Sequence, residues 1–478
     1  MIILLLLLPL LGSLFISILS DESPKNKNLM KKISLNTTII NFILSLYLWL
    51  EFDSSSSQYQ FVYEFNNFNL GIDGISLYFI ILTTFVTPIA ILSNYNNINK
   101  NLKFFLISFL ILETLQIAVF VVLDLFLFYI FFESVLPILF IVILLYGAGE
   151  NRIRSALLLF LYTLAGSLFM LLSILHIYNY VGSTDFQLIS LTEINLESQK
   201  ILWIGFFLAF AVKTPLWPFT GWLFRAHADS PLAGSILLAA TILKFATYGF
   251  LRVLINFLPD ASNYFSPLVQ TIAIITLIYA SLATIIQQDT KALIAYSSIA
   301  HMAVVTLGLF SNTIQGIEGA ILLALAHGLV SPALFICVGG VIYERTGTRI
   351  INYIRGLVTY MPLFTLLFFL FTLANTGIPL SLNFLGEQLS LIGIWDRSPI
   401  ISALGATGIV LSACYSIWLY NRVSYGVYSP HLKPVKDISR REFNLLLALL
   451  IPTVLLGIFP NVLLNSLHVA VTSLIFNF

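Results

Sequence analysis

AVKTPLWPFTGWLFRAH, Ala211–His227, puts a lysine, two prolines and a glycine into a run otherwise apolar enough to cross a bilayer. A proline inside a helix removes the hydrogen bond to the carbonyl four residues earlier and clashes with it. Pro215 and Pro218 therefore free the carbonyls of Ala211 and Thr214, on either side of Lys213. A charged side chain at the bilayer centre costs about 3 kcal/mol on insertion scales and over about 10 in simulations. Within lipid, freed backbone groups persist only where protein or water satisfies them. The stretch thus predicts a broken transmembrane helix beside a hydrated interior.

Composition sets the class. Of 478 residues 59% are hydrophobic and 9% charged, and the formal net charge is +1. Mean hydropathy is +0.96, and soluble domains carry about 25% charged residues. The apolar runs repeatedly reach the roughly 20 residues that a helix needs to span, and they lack the alternation of a membrane barrel. An all-α polytopic membrane protein follows. The opening run MIILLLLLPLLGSLFISILS has no positive n-region and no small-residue cleavage site, so it reads as a retained span. Cys337 and Cys414 lie far apart in apolar segments, without the spacing of a zinc or iron–sulfur site. No nucleotide-binding glycine motif and no basic block occurs, which argues against a nucleotide site and a nucleic-acid partner.

About fourteen spans fit the 20-residue rule: near 2–20, 34–51, 71–93, 104–122, 125–147, 155–178, 201–224, 231–256, 268–286, 292–310, 317–343, 358–394, 400–420 and 443–460. Positive residues gather on one side of a membrane, and every second loop here is basic. Examples are Lys25 to Lys32, Arg152 and Arg154, Arg345 to Arg355, and Lys433 to Arg441, with Lys291 ahead of span ten. The intervening loops carry Glu51, Asp53 and Glu64, then Asp185, Glu193 and Glu197, then Asp260. Both termini fall on the non-basic side.

Ionisable residues inside the spans are the candidate functional groups. They are Glu133 in LFYIFFESVLPILF, Lys213, Lys244 in ATILKFATYGF, His301 in IAYSSIAHM, His327 in LALAHGLVSP and Glu387 in NFLGEQL. Polar neighbours stand at helical spacing from most of them: Tyr129, Thr241, Tyr248, Ser297 and Ser331. Structural roles compete, since a lone membrane histidine usually packs and a lysine near a span end snorkels. Lys213, Lys244 and Glu133 sit far from span ends, and Glu113, His176 and Asp229 carry a weaker signal. Prolines fall at the same depth: Pro137 frees the carbonyl of Glu133, Pro332 that of Gly328 beside His327, and Pro379 that of Asn375 ahead of Glu387.

Spans seven and twelve, KTPLWPFTGW and NTGIPLSLNFLGE, share this interruption and lie five spans apart. A repeated five-helix unit has an odd number of crossings, so its second copy is inverted. Paired broken helices in inverted repeats point to an ion pathway. The expected organisation is residues 1–103 as three N-terminal helices, 104–256 as the first repeat, 268–420 as the second, and 421–478 as a loop, a last helix and a tail.

Together FYIFFE, KTPLWPFTGWL, SILLAATILKFATYG, KALIAYSSIAHM, AHGLVSPALF and IPLSLNFLGE, within Gly71 to Tyr425, resemble the antiporter-like membrane subunits of respiratory complex I. The sibling chains 2 and 5 of that family usually have lysine where this chain has Glu387. The resemblance implies proton translocation driven by quinone reduction elsewhere in a proton-translocating NADH:ubiquinone reductase. This chain would bind no cofactor itself, although the whole complex uses NADH, FMN, iron–sulfur clusters and ubiquinone. It implies a gating pair of Glu133 and Lys213, a relay through Lys244 and His301 or His327, and a terminal site at Glu387. The implied partners are other membrane-arm subunits, especially chains 2 and 5, and lipids. A subunit of a multi-subunit cation/proton antiporter and a structural scaffold are the competing readings. The abundance of Phe, Ile, Asn and Tyr and the lack of a transit peptide fit synthesis inside an organelle, which places the chain in the mitochondrial inner membrane; a bacterial inner membrane is the alternative.

Overall fold

Helices dominate because a bilayer leaves no water to satisfy exposed backbone, and a helix satisfies its own. The computed structural model describes residues 1–65, 68–98 and 100–476. Among them, eleven helices are long and apolar enough to cross a membrane, and three shorter apolar helices accompany them. The chain divides into two compact units. One comprises Met1–Lys213, Thr241–Tyr264 and Asn465–Phe478; the other comprises Thr214–Ala240 and Phe265–Leu464.

In the first unit, the expected loop before span three holds an antiparallel hairpin, Gln60–Phe65 with Phe68–Ile72. Asp73 then caps Gly74–Ser93 through a reciprocal capping box with Ser76. Buried hydroxyls in these helices turn back on their own backbone, as Thr83 does by donating to the Phe79 carbonyl at 2.7 Å. The spans are apolar all round, so their outer faces stay greasy. Leu157, Leu161, Leu168 and Leu172 of Arg152–Val181 are 41–64% exposed at helical spacing, as a lipid-facing stripe requires.

Span seven is broken where the prolines stand. Helix Leu196–Lys213 stops at the lysine, a turn follows, and a 3-10 turn Phe219–Trp222 leads into Leu223–Asp229. Span twelve breaks likewise, into Pro362–Asn375 and Leu382–Trp395. Between them Gly377 takes φ +71°, a conformation that an L side chain resists. Pro137 and Pro332, in contrast, lie inside continuous helices, Leu125–Tyr146 and Ile314–Phe335. Their neighbours absorb the lost hydrogen bond without ending the helix.

Span eight is a helix interrupted twice by π-helical segments, Leu238–Ile242 and Phe250–Ile255, and span eleven passes into a third, Ile336–Ile342. In the second unit, Thr290–Leu309 is buried along its whole length, and Ile314–Phe335 is buried from Gly316 onward. Leu382–Trp395 packs closely on them because a Cβ at Gly386 would stand 2.6 Å from the Leu323 backbone nitrogen. The basic loop after Pro399–Ser424 is tied down by Asp437, which accepts from the backbone of Leu363 and Phe364 at 3.0 and 3.2 Å. Arg345 forms a two-pronged pair with Glu442 at 3.0 and 2.7 Å. The stretch after Pro460 is a helix, Asn461–Phe476.

Candidate functional site

The six sequence-derived residues fall into two sets, one in each unit. In the first unit, Lys213 is the last residue of its helix, where the negative end of the helix dipole favours a cation. It is 1% exposed. Its Nζ donates to the Phe132 carbonyl at 3.4 Å and stands 4.2 Å from the Phe132 ring centroid, a cation–π distance. Glu133 is the next residue along, within electrostatic reach of Lys213. The two do not touch at ion-pair distance, and Glu133 Oε1 is buried without a hydrogen-bond partner. Lys213 therefore reaches the backbone beside the carboxylate, not the carboxylate itself.

Lys244 is fully buried in the short α-helical stretch Leu243–Gly249 between two π-helical segments. Such π turns occur often at functional sites because they rotate side chains out of ordinary register. Tyr248, one turn on, donates to the Phe120 carbonyl at 3.2 Å and accepts from Arg252 Nε at 3.3 Å. Glu113 is also fully buried, with one oxygen accepting from Asn41 Nδ2 at 2.8 Å and the other unpartnered. His176, by comparison, is exposed.

In the second unit, the helix break of span twelve carries Glu387 to His301. Nδ1 of His301 and Oε1 of Glu387 are 3.0 Å apart, both buried. The His327 ring lies 5.9 Å from that of His301, centroid to centroid, and the Ser298 and Ser331 hydroxyls pair at 3.0 Å between the same two helices. A small cavity of about 10 Å³ is lined by His301, Glu387, Ser412 and Tyr415, near the lower limit for one water. The Tyr415 hydroxyl and the Asn383 amide are buried without hydrogen-bond partners, which is costly unless water or a moving proton uses them. Sequence reading passed over both. The available signals were Asn383 four residues before Glu387 and Tyr415 three after Ser412.

Two cations read from sequence as loop charges are buried instead. Lys291 donates to the Ser230 carbonyl at 2.6 Å, beside Asp229, which is 9% exposed. Lys31 donates to the Tyr95 carbonyl at 2.5 Å. No cluster of three or more His, Cys, Asp or Glu suited to a metal occurs among the described residues.

A polytopic helical chain with two broken helices and ionisable groups buried at the breaks has the build of an antiporter-like ion-translocating subunit. Residues 122–412 match the family described as NADH:quinone oxidoreductase/Mrp antiporter, transmembrane, and the chain belongs to that family. It is similar to NADH-ubiquinone oxidoreductase chain 4 of Mycosarcoma maydis, 61% identical with all of both chains covered. It is also similar to the protein of that name from Marchantia polymorpha, 47% identical over 98% of this chain and 96% of the other. Among solved structures, a chain of respiratory complex I from Thermus thermophilus with bound NADH superimposes with a TM-score of 0.90, at 28% identity, over 100% of this chain and 99% of that one.

Proposed function

We propose that this chain is a proton-translocating membrane subunit of respiratory complex I, NADH:ubiquinone oxidoreductase, in the mitochondrial inner membrane with its basic loops in the matrix. Family membership and the full-length likeness to complex I subunits support the subunit assignment. Chains 2 and 5 are its expected neighbours, and the redox chemistry of NADH, FMN, iron–sulfur clusters and ubiquinone takes place in other subunits. The observation that carries the proton role is Lys213: buried, at a helix end broken by Pro215, its ammonium on the carbonyl next to Glu133.

In this reading Glu133 and Lys213 act as a gate. Attraction between the two charges makes a proton on Lys213 cheaper to hold, and burial makes it dearer. A displacement of Glu133 away from Lys213 tips that balance towards release. Lys244, with its neighbours on the π-distorted helix, takes the next place in the relay. His301, His327 and Glu387 form the later stage, because Glu387 and His301 share one hydrogen bond along which a proton can be passed. The broken-helix carbonyls and the orphaned Tyr415 and Asn383 groups organise the water that links them. The two broken helices belong to inverted five-helix repeats at 104–256 and 268–420.

Glu133→Ala in the assembled complex, reconstituted in liposomes, tests this. The expected outcome is loss of proton pumping, with turnover reduced because the two are coupled. Intact pumping per quinone reduced would refute the gate. The rival role, cation/proton exchange as in the Mrp side of the family, predicts sodium-dependent transport by the isolated chain.

A further inference from the structure

On the non-basic side of the first unit, a polar cavity of about 150 Å³ is lined by Ser57, Tyr59, Gln187, Ser190, Asn256 and Ser473, with Asp73 and Arg252 also on its wall. These come from the loop after span two, the short helix after span six, the end of span eight and the terminal helix. The volume holds several waters, and burial keeps the Tyr59 phenol above its ordinary pKa, so it lines the cavity as a neutral hydroxyl.

The cavity has a charged wall. Arg252 pairs directly with Asp73, both nearly buried. Asp73 is itself fixed, because its other oxygen accepts from the Ser76 backbone at 3.0 Å in the helix cap. Arg252 also donates to Tyr248, and Tyr248 sits in an aromatic collar, with the Phe120, Phe128 and Phe79 rings 5.3, 6.2 and 6.3 Å away. Tyr248 stands one turn on from Lys244 in the α-helical Leu243–Gly249, and Arg252, in the π-helical segment that follows, reaches back to Tyr248 through its hydrogen bond. At the α-helical rise, eight residues set Arg252 no more than about 12 Å along the axis from Lys244.

This order is wet cavity, fixed cation, dry aromatic ring, buried lysine. An arginine cannot give up its proton, so the stripe is no relay. The guanidinium offsets the Asp73 carboxylate, which would otherwise attract protons from the cavity, and no rearrangement of that carboxylate is free while the cap holds it. We propose that Arg252, positioned by Asp73 and backed by Tyr248, is a proton seal that closes Lys244 off from the non-basic side.

The seal rests on the reading that Lys244 carries protons, and the test separates the two. Arg252→Gln, Lys244→Met and the double variant are compared in the assembled complex in liposomes, by proton-to-quinone ratio per assembled complex and by passive proton leak under an imposed potential. Removing a unit charge about 12 Å away, at an effective dielectric near 20, changes proton occupancy about tenfold, so Arg252→Gln should raise leak about tenfold and lower the ratio while quinone turnover persists. Arg252→Lys should restore the seal in large part, and Lys244→Met should abolish the leak of the double variant. If Lys244→Met stops pumping yet Arg252→Gln leaves ratio and leak unchanged, the seal is wrong and the relay stands. If Lys244→Met leaves pumping intact, the relay reading fails. Loss of assembled complex in proportion to loss of every activity would reduce Arg252 to a structural role and also overturn the seal.

Discussion

His301 and Glu387 show what a single residue pair can do here. A buried histidine and carboxylate stand 3.0 Å apart, joined by one hydrogen bond between two helices. His301→Gln keeps polarity but cannot carry the proton, and pumping should fall about tenfold or more, in keeping with the 10²–10⁴-fold usual for a positioned acid or base; proton uptake per quinone in liposomes measures it. Tyr415→Phe removes only an orphaned hydroxyl. It should leave the assembled complex as stable as before or slightly more stable while slowing pumping. Unchanged pumping in that variant would reduce Tyr415 to packing. At this scale the sequence was informative because charges in apolar runs stand out: Glu133, Lys213, Lys244 and Glu387 were all visible. Tyr415 and Asn383 were not, because tyrosine and asparagine are common in spans and their significance lies in a cavity built by distant segments.

At the scale of elements, the two broken helices were legible because proline and glycine act locally. Pro215 and Pro379 stand at the breaks, whereas Pro137 and Pro332 stay inside helices. The local signal is the same in all four. What differs is that the first two have a second proline or a glycine within three residues, Pro218 and Gly377, whereas Gly328 stands four before Pro332. The π segments around Lys244 escaped sequence reading, since one extra residue per turn depends on packing and leaves no composition mark. The strand pair Gln60–Phe65 and Phe68–Ile72 is silent for another reason: its segments are far too short to register as spans and are mixed polar and aromatic. Gly386→Val tests the close approach that carries Glu387. With the Leu323 backbone 2.6 Å from the new Cβ, overpacking should cost about 1–3 kcal/mol, read as a lower melting temperature of the complex and a weakened pump. An unchanged melting temperature would show that the helices give way more easily than the geometry indicates.

For the whole molecule, the alternation of basic and acidic loops sets the orientation. A cysteine at Lys436, in the basic loop, should react with an impermeant thiol reagent only from the matrix face. A cysteine at Ser54, in the acidic loop, should react only from the opposite face, and labelling of both from one side would undo the orientation. The two compact units each hold part of the ionisable set: Glu133, Lys213 and Lys244 in one, His301, His327 and Glu387 in the other. The two units combine distant stretches, 214–240 joining the second and 465–478 the first, and such chain return is a long-range event without a local signature. The central claim is that protons move through these buried groups when quinone is reduced elsewhere. Its most direct test is the number of protons pumped per NADH oxidised by the complex carrying Lys213→Met in sealed liposomes. The account predicts a clear fall in that number below that of the unaltered complex in the same assembled amount; an unchanged number at unchanged turnover would contradict it.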